Sequence, residues 1–268
     1  MKAQTKLIPF AKMHALGNDF VIMQAEKPLE TLPVKHWADR HRGIGFDQLL
    51  IIEASTQADF FCRIFNADGS EAEQCGNGLR CVARYIVEHQ LSAKKNLSLQ
   101  TKSGIYPVII ENVDRIRIAM GIPRIQEKAM TLALPHHEDK VTMTVLDVGN
   151  PHAIIRVSDL QPNITRNLGP IISTHAYFPQ GVNVGFMQIK NEHHIVLRTY
   201  ERGSGETFAC GSNACAAVAA GITNGWLQSP VQVECCDGSL EIAWEDNNKP
   251  IQMSGPATHV FAGEIEVG

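Results

Sequence analysis

Two stretches of this chain repeat one device: Asn66-Ala-Asp-Gly-Ser-Glu-Ala-Glu-Gln-Cys75-Gly-Asn-Gly-Leu-Arg-Cys81 and Glu201-Arg-Gly-Ser-Gly-Glu-Thr-Phe-Ala-Cys210-Gly-Ser-Asn-Ala-Cys215. In each, a glutamate (Glu71, Glu206) stands four residues ahead of a Cys-Gly pair, and a small-residue and apolar run suited to a buried helix follows. The repetition predicts two similar halves, each with a thiol at a helix N-terminus. There the positive end of the macrodipole and the unpaired N–H groups lower a thiol pKa and make an anion site beside it. Two such ends around one carboxylate suit removal of a proton from one face of an α-carbon and its return from the other. That chemistry is racemisation or epimerisation.

The 268 residues suffice for two domains of moderate size. A net charge of −4 and the lack of a Lys/Arg block argue against nucleic acid or an anionic membrane as the partner and favour a small molecule. No apolar run is long enough to span a bilayer, and the N-terminus lacks the apolar core of a signal peptide, so a cytoplasmic protein is expected. Seven cysteines, an odd number, fit reduced thiols better than a disulfide framework.

Short alternating segments predict strands at 60–65, 106–110, 115–118, 141–146, 153–157 and 194–200. Helices are expected at Val34 to Arg42, Gly78 to Glu88 and Ala214 to Asn224. Strands that follow one another without regular βαβ alternation point to an α+β fold with largely antiparallel sheets. The run Ala214-Cys-Ala-Ala-Val-Ala-Ala-Gly-Ile is apolar on every side, as a helix wrapped by a sheet would be. The break between halves is placed near Gly121-Ile-Pro123, giving domains of 1–121 and 122–258.

A lone intracellular cysteine is usually a small core residue, and Cys62, Cys81 and Cys215 fit that description. Cys75 and Cys210 differ because Gly76 and Gly211 remove a side chain where a ligand carboxylate would meet backbone N–H groups. Zinc fits poorly, since the cysteine spacings are wider than those of structural zinc sites; no metal is expected. His152, in Val148-Gly-Asn-Pro-His-Ala, is either an exposed turn residue or a site group. Glu201 and Arg202 are either a solvated pair or the partners of an ammonium and a carboxylate, the two groups of an amino acid. The Gly43 run matches no phosphate-binding loop.

Taken together, Met13-His-Ala-Leu-Gly-Asn-Asp-Phe20, Arg42-Gly-Ile-Gly-Phe-Asp-Gln48, Phe65-Asn-Ala-Asp-Gly-Ser70, Cys75-Gly-Asn-Gly78, Gly149-Asn-Pro-His152, Asn183-Val-Gly-Phe186 and Tyr200-Glu-Arg-Gly-Ser-Gly-Glu-Thr207 with Ala209-Cys-Gly-Ser212 closely resemble the diaminopimelate epimerase family. The resemblance implies two pseudo-symmetric domains, each a mostly antiparallel sheet around a central helix, with the active site in the cleft between them. The last strand, about 259–268, is expected to return to the first domain. It also implies interconversion of LL- and meso-2,6-diaminopimelate for lysine and peptidoglycan synthesis, without pyridoxal phosphate or another cofactor. Carried over by motif, Cys75 and Cys210 are the acid/base thiols, and His152 and Glu201 adjust their protonation. Gly76, Asn77, Gly211 and Ser212 hold the reacting carboxylate through backbone groups. Asn18, Gln48, Asn66, Asn150, Asn183, Glu201 and Arg202 read the rest of the substrate. A homodimer is implied, with Phe261 at its contact.

The sequence departs from the family pattern at Ala15, at Gln74 and at Asn213, where glycine is usual after Cys-Gly-Ser. A turn at Asn213 is expected to tolerate asparagine. Proline or hydroxyproline racemases, and a non-catalytic binding module on the same scaffold, are the competing readings. Asn77 and the Glu201-Arg202 pair favour the diaminopimelate branch.

Overall fold

The computed structural model describes residues 6–25, 32–134 and 140–267. They form two compact units, residues 1–118 with 255–268 and residues 119–254. In chain order the elements begin with β1 (Lys6–Ala15), β2 (Asn18–Gln24), α1 (Val34–Ala38), β3 (Gln48–Glu53), β4 (Phe60–Asn66) and β5 (Glu71–Ala72). Then come α2 (Gly76–Glu88), β6 (Asn96–Thr101), β7 (Gly104–Asn112) and β8 (Arg115–Ala119). The next stretch contains β9 (Arg124–Ala133), β10 (Lys140–Asp147), β11 (Pro151–Val157), α3 (Ile164–Ser173), β12 (Asn183–Asn191), β13 (His194–Glu201) and β14 (Gly205–Thr207). The chain ends with α4 (Gly211–Thr223), β15 (Val231–Cys235), β16 (Gly238–Ala243), β17 (Gln252–Gly255) and β18 (Thr258–Val267).

The first unit's sheet runs β18-β1-β2-β3-β4-β6-β7-β8, antiparallel except for the pairs β2–β3 and β4–β6. The second runs β9-β10-β11-β12-β13-β15-β16-β17, antiparallel except for β11–β12 and β13–β15. The two orders match strand for strand. In each, one parallel pair is bridged by a short helix (α1 or α3) and the other by a hairpin strand and a long helix (β5 and α2, or β14 and α4). A parallel pair requires such a crossover, which is why helices appear, among the described residues, only at these two places in each repeat.

The helices lie on opposite faces of their sheets. Helix α2 contacts β1, β2, β3 and β7, and α4 contacts β9, β10, β11, β12, β13 and β16. Residues Gly211 to Gly221 of α4 are all buried, so the small residues of this segment let strands approach from every side. On the outer faces, Val34 and Trp37 of α1 pack with Leu49 and Ile51 of β3, and Ile172 of α3 packs with Val184 and Phe186 of β12. Strand β3 is therefore apolar at consecutive positions: Leu49 and Ile51 meet α1, while the intervening Leu50 meets Gly78 of α2.

Helices α1 and α3 depart most from the sequence expectation. Helix α1 ends at Ala38, not Arg42, because Asp39 turns extended and its Oδ1 accepts the backbone N–H groups of His41 and Arg42 at 2.8 and 2.9 Å. Such side-chain acceptance competes with helical pairing. Helix α3 was not expected, since it contains Gly169 and Pro170. The glycine is there for packing: a β-carbon at Gly169 would lie 2.5 Å from Tyr200 Cγ.

Candidate active site

In the first unit the N-terminus of α2, the starts of β2 and β3 and the end of β4 converge. Leu16 and Gly17, with φ of 54° and 77°, form the two-residue hairpin that brings Asn18 to the head of β2. Cys75 is the N-cap of α2, extended at φ −151°, and its Sγ accepts the Gly78 N–H at 3.3 Å. The Asn18 Oδ1 lies 3.9 Å from this sulfur and 3.4 Å from Asn77 Nδ2. Gly76 and Asn77 occupy the first two helical positions, where backbone N–H groups have no partner within the helix. The Asn77 side-chain oxygen is taken by Arg80 Nη2 at 2.9 Å.

Gln48 pairs across the sheet with Asn66, and its Nε2 donates to Asn66 Oδ1 at 2.9 Å. The Oε1 atoms of Gln48 and Gln74 are buried and unmatched. Unmatched buried acceptors are costly in a folded protein, and a ligand N–H group is one way to satisfy them. Asn18 is itself held, since its Nδ2 donates to Asp47 Oδ2 at 2.9 Å. Asp47 and Asp19 share Arg40, and Lys12 reaches Asp19. Burial opposes ionisation of Asp19, yet hydrogen bonds and charge from Arg40 and Lys12 outweigh it and bring its pKa down to about 2.

The second unit repeats this arrangement. Cys210 is the N-cap of α4, at φ −120°, and Gly211 and Ser212 begin the helix. The Ser212 Oγ lies 3.4 Å from Cys210 Sγ. Burial raises the Cys210 pKa well above the ordinary thiol value, and the charge of Glu201 raises it further against opposing contacts from Ser212 and Asn213. Glu201, at the end of β13, accepts Thr207 Oγ1 at 2.6 Å. Asn183, at the head of β12, accepts the Arg202 N–H at 3.0 Å and donates to Pro151 O at 3.2 Å, tying the end of β13 to the start of β11.

Among the two readings of His152, the structure rules out the exposed turn residue, because the imidazole is fully buried in β11. Its Nε2 lies 2.8 Å from Asn150 Oδ1. Burial lowers its pKa to about 3, only partly offset by the Asn213 side chain, so the ring is neutral at physiological pH. The Arg202 guanidinium turns to the Gln180 carbonyl at 2.9 Å, beside a cavity of about 680 Å³ lined also by Gly181, Tyr200 and Ser204. Phe261 lies on β18, half exposed and edge-to-face with Phe10 at 6.1 Å.

Three features escaped the sequence reading. Asn213 is not in a turn: it is the third residue of α4, fully buried, donating to Val184 O and Thr199 Oγ1 at 3.1 and 2.9 Å. Arg80, also fully buried, links Asn77 to the Pro256 carbonyl, a bond of 3.2 Å from its Nε. A charged residue within an apolar helical stripe was the available signal for it. The repeated glutamates, third, pair with arginines of the adjacent strand, Glu71 with Arg63 at 3.3 Å and Glu206 with Arg198. Their repetition reflects hairpin structure.

A doubled sheet-around-helix unit is found in solved structures of other proteins. A hydroxyproline epimerase from Agrobacterium vitis superposes with a TM-score of 0.76 at 14% identity, covering 100% of this chain and 94% of that one. A phenazine biosynthesis protein of the PhzF family from Bacillus anthracis gives 0.74 at 19% identity, covering 98% and 100%. The fold is thus one shared with an epimerase and with a PhzF-family protein.

The sequence pattern of diaminopimelate epimerase matches residues 10–126 and again 144–260, once per repeat. The chain is 44% identical over 273 residues to a diaminopimelate epimerase of Nitrosomonas europaea, covering 97% of this chain and 99% of the relative. It is 42% identical over 275 residues to one from Ectopseudomonas mendocina, covering 97% and 100%. This chain belongs to the diaminopimelate epimerase family.

Proposed function

We propose that the protein interconverts LL- and meso-2,6-diaminopimelate without a cofactor, with Cys75 and Cys210 as the two acid/base groups. The observation that carries this reading is the repeated N-cap: two cysteines, each followed by glycine, each opening the buried helix of an equivalent unit. An α-proton is a very weak acid, so the carbanion must be stabilised through its carboxylate as it forms. Fixed N–H donors serve this best because they need no reorganisation. The backbone groups of Gly76, Asn77, Gly211 and Ser212 fill that role.

The reaction needs one thiolate and one thiol. Cys210 enters as the thiol, since burial and the adjacent Glu201 charge favour its protonated form. The proton is then removed by Cys75 and replaced from Cys210 on the opposite face of the carbon, which inverts the centre. His152, neutral in its buried setting, acts as a hydrogen-bonding group rather than a cation. Gln48, with its unmatched Oε1, and Asn18, Asn66, Asn150, Asn183, Glu201 and Arg202 recognise the polar groups of the substrate. Each unit serves as one domain with one thiol, Phe261 contributes to a homodimer contact, and the activity belongs to lysine and peptidoglycan synthesis in the cytoplasm.

General acid/base catalysis by one positioned group is worth about 10²- to 10⁴-fold. Cys75→Ala and Cys210→Ala are each expected to abolish formation of meso product from LL-diaminopimelate, followed by chiral chromatography. Near-normal turnover by either variant would refute the two-base reading.

A further inference from the structure

The repeat makes it possible to compare the two halves position by position, and one buried cluster in which they differ contains His152. In the first unit Phe20 pairs with Gln48 at the head of the parallel pair, Leu50 follows two residues later, Ile64 faces Leu50 from β4, and Gly78 is three residues after Cys75. The same register in the second unit holds His152, Gly185, Thr199 and Asn213. Both clusters are buried. The first is wholly apolar. The second contains three polar side chains and one glycine.

Volume is exchanged between strand and helix. A β-carbon at Gly78 would lie 3.0 Å from Leu50 Cδ1, so the first unit places the bulk on the strand. A β-carbon at Gly185 would lie 2.7 Å from Asn213 Oδ1, so the second places it on the helix. Asn213 spends both its amide protons, on Val184 O and Thr199 Oγ1. Its orientation is thereby fixed, with Oδ1 as an acceptor that has no close donor. The other unmatched buried atom of this cluster is His152 Nδ1. The Asn213 side chain is the hydrogen-bonding neighbour acting on that imidazole.

A neutral imidazole has one N–H. With the proton on Nε2, the ring would donate to Asn150 Oδ1 and leave Nδ1 and Asn213 Oδ1 as two buried acceptors without a donor, an arrangement native interiors avoid. With the proton on Nδ1, both are matched at once. The nitrogen Nε2 then accepts from the Asn150 amide, whose NH₂ and oxygen are interchangeable in position. We propose that Asn213 is a positioning residue that holds His152 in the Nδ1–H tautomer, leaving Nε2 as an acceptor and turning the Asn150 carbonyl oxygen away from the ring, where it can take an ammonium group of the substrate. The last part rests on the assignment of Asn150 to substrate recognition; the tautomer does not.

The test is the ¹⁵N spectrum of the histidine rings in the intact, substrate-free protein, with the His152 signals identified by their loss in His152→Phe. The expected pattern is a protonated Nδ1 and an unprotonated Nε2; the reverse pattern overturns the proposal. A second variant, Asn213→Gly with Gly185→Leu, imitates the Gly78 and Leu50 pair. It should move the proton to Nε2 and lower kcat/KM by about 10- to 100-fold, as loss of an orienting partner does. An unchanged tautomer in that variant would also overturn it. Because the ring is read without substrate, failure of the epimerase reading leaves this result standing.

Discussion

Asp47 holds Asn18 by its amide: the Asn18 Nδ2 donates to Asp47 Oδ2 at 2.9 Å, which directs Oδ1 to within 3.9 Å of Cys75 Sγ. Asp47 also accepts the Asp19 N–H and pairs with Arg40, and at the thiol site it acts by fixing an amide that would otherwise rotate. Asp47→Ala should lower kcat/KM about 5- to 10-fold, the equivalent of one hydrogen bond of about 1 kcal/mol. Steady-state kinetics would show this with little change in folding stability, since the carboxylate is nearly half exposed and surface ion pairs contribute little.

The Cys210 thiol carries a pH signature. Burial first, then the Glu201 charge, raises its pKa, so the acid form persists through neutral pH and is lost as pH rises through that raised value. Glu201→Gln removes the charge, so the alkaline limb of the rate profile should move to lower pH. The pH dependence of Cys210 alkylation should move the same way, measured by mass spectrometry of the labelled peptide.

His152 predicts an acid instability. Its folded pKa, about 3, is depressed from 6.5 chiefly by burial. Between those values the unfolded chain binds a proton that the folded one does not, so stability falls as pH drops below about 6.5, by at most about 1.4 kcal/mol per pH unit. His152→Phe, which copies Phe20, should flatten this slope in denaturant titrations between pH 6.5 and 4.

Gly169→Ala sets two effects against each other. Alanine gains up to about 1 kcal/mol of helix propensity over glycine. The added carbon meets Tyr200 Cγ at 2.5 Å, an atom of a ring root that cannot swing aside, and overpacking typically costs about 1–3 kcal/mol. Net destabilisation is expected in thermal unfolding.

The features legible in the sequence were those written locally. The cysteines begin helices because a Cys-Gly pair followed by small apolar residues needs no distant information to do so. The alternating strands, such as Phe60 to Asn66 and His194 to Glu201, show the same thing. What escaped depended on contacts between distant residues. The four-residue apolar run of β3 does not alternate because helices cover both faces, and such a run is ambiguous between strand and helix. The Gly169-Pro170 break is tolerated because α3 packs against Tyr200. Asn213 looked like a turn residue, whereas its partners Val184 and Thr199 come from two other strands. Arg80 bonds the Pro256 carbonyl, which the returning chain end brings to it.

The central claim is tested most directly by incubating the reduced protein with LL-diaminopimelate in D₂O, without added cofactor, and following the α-carbon by NMR and the product by chiral chromatography. The two-thiol account predicts deuterium at the α-carbon together with meso product, both lost in Cys75→Ala and in Cys210→Ala. Epimerisation that survives either substitution, or no exchange by the reduced wild-type protein, would contradict it.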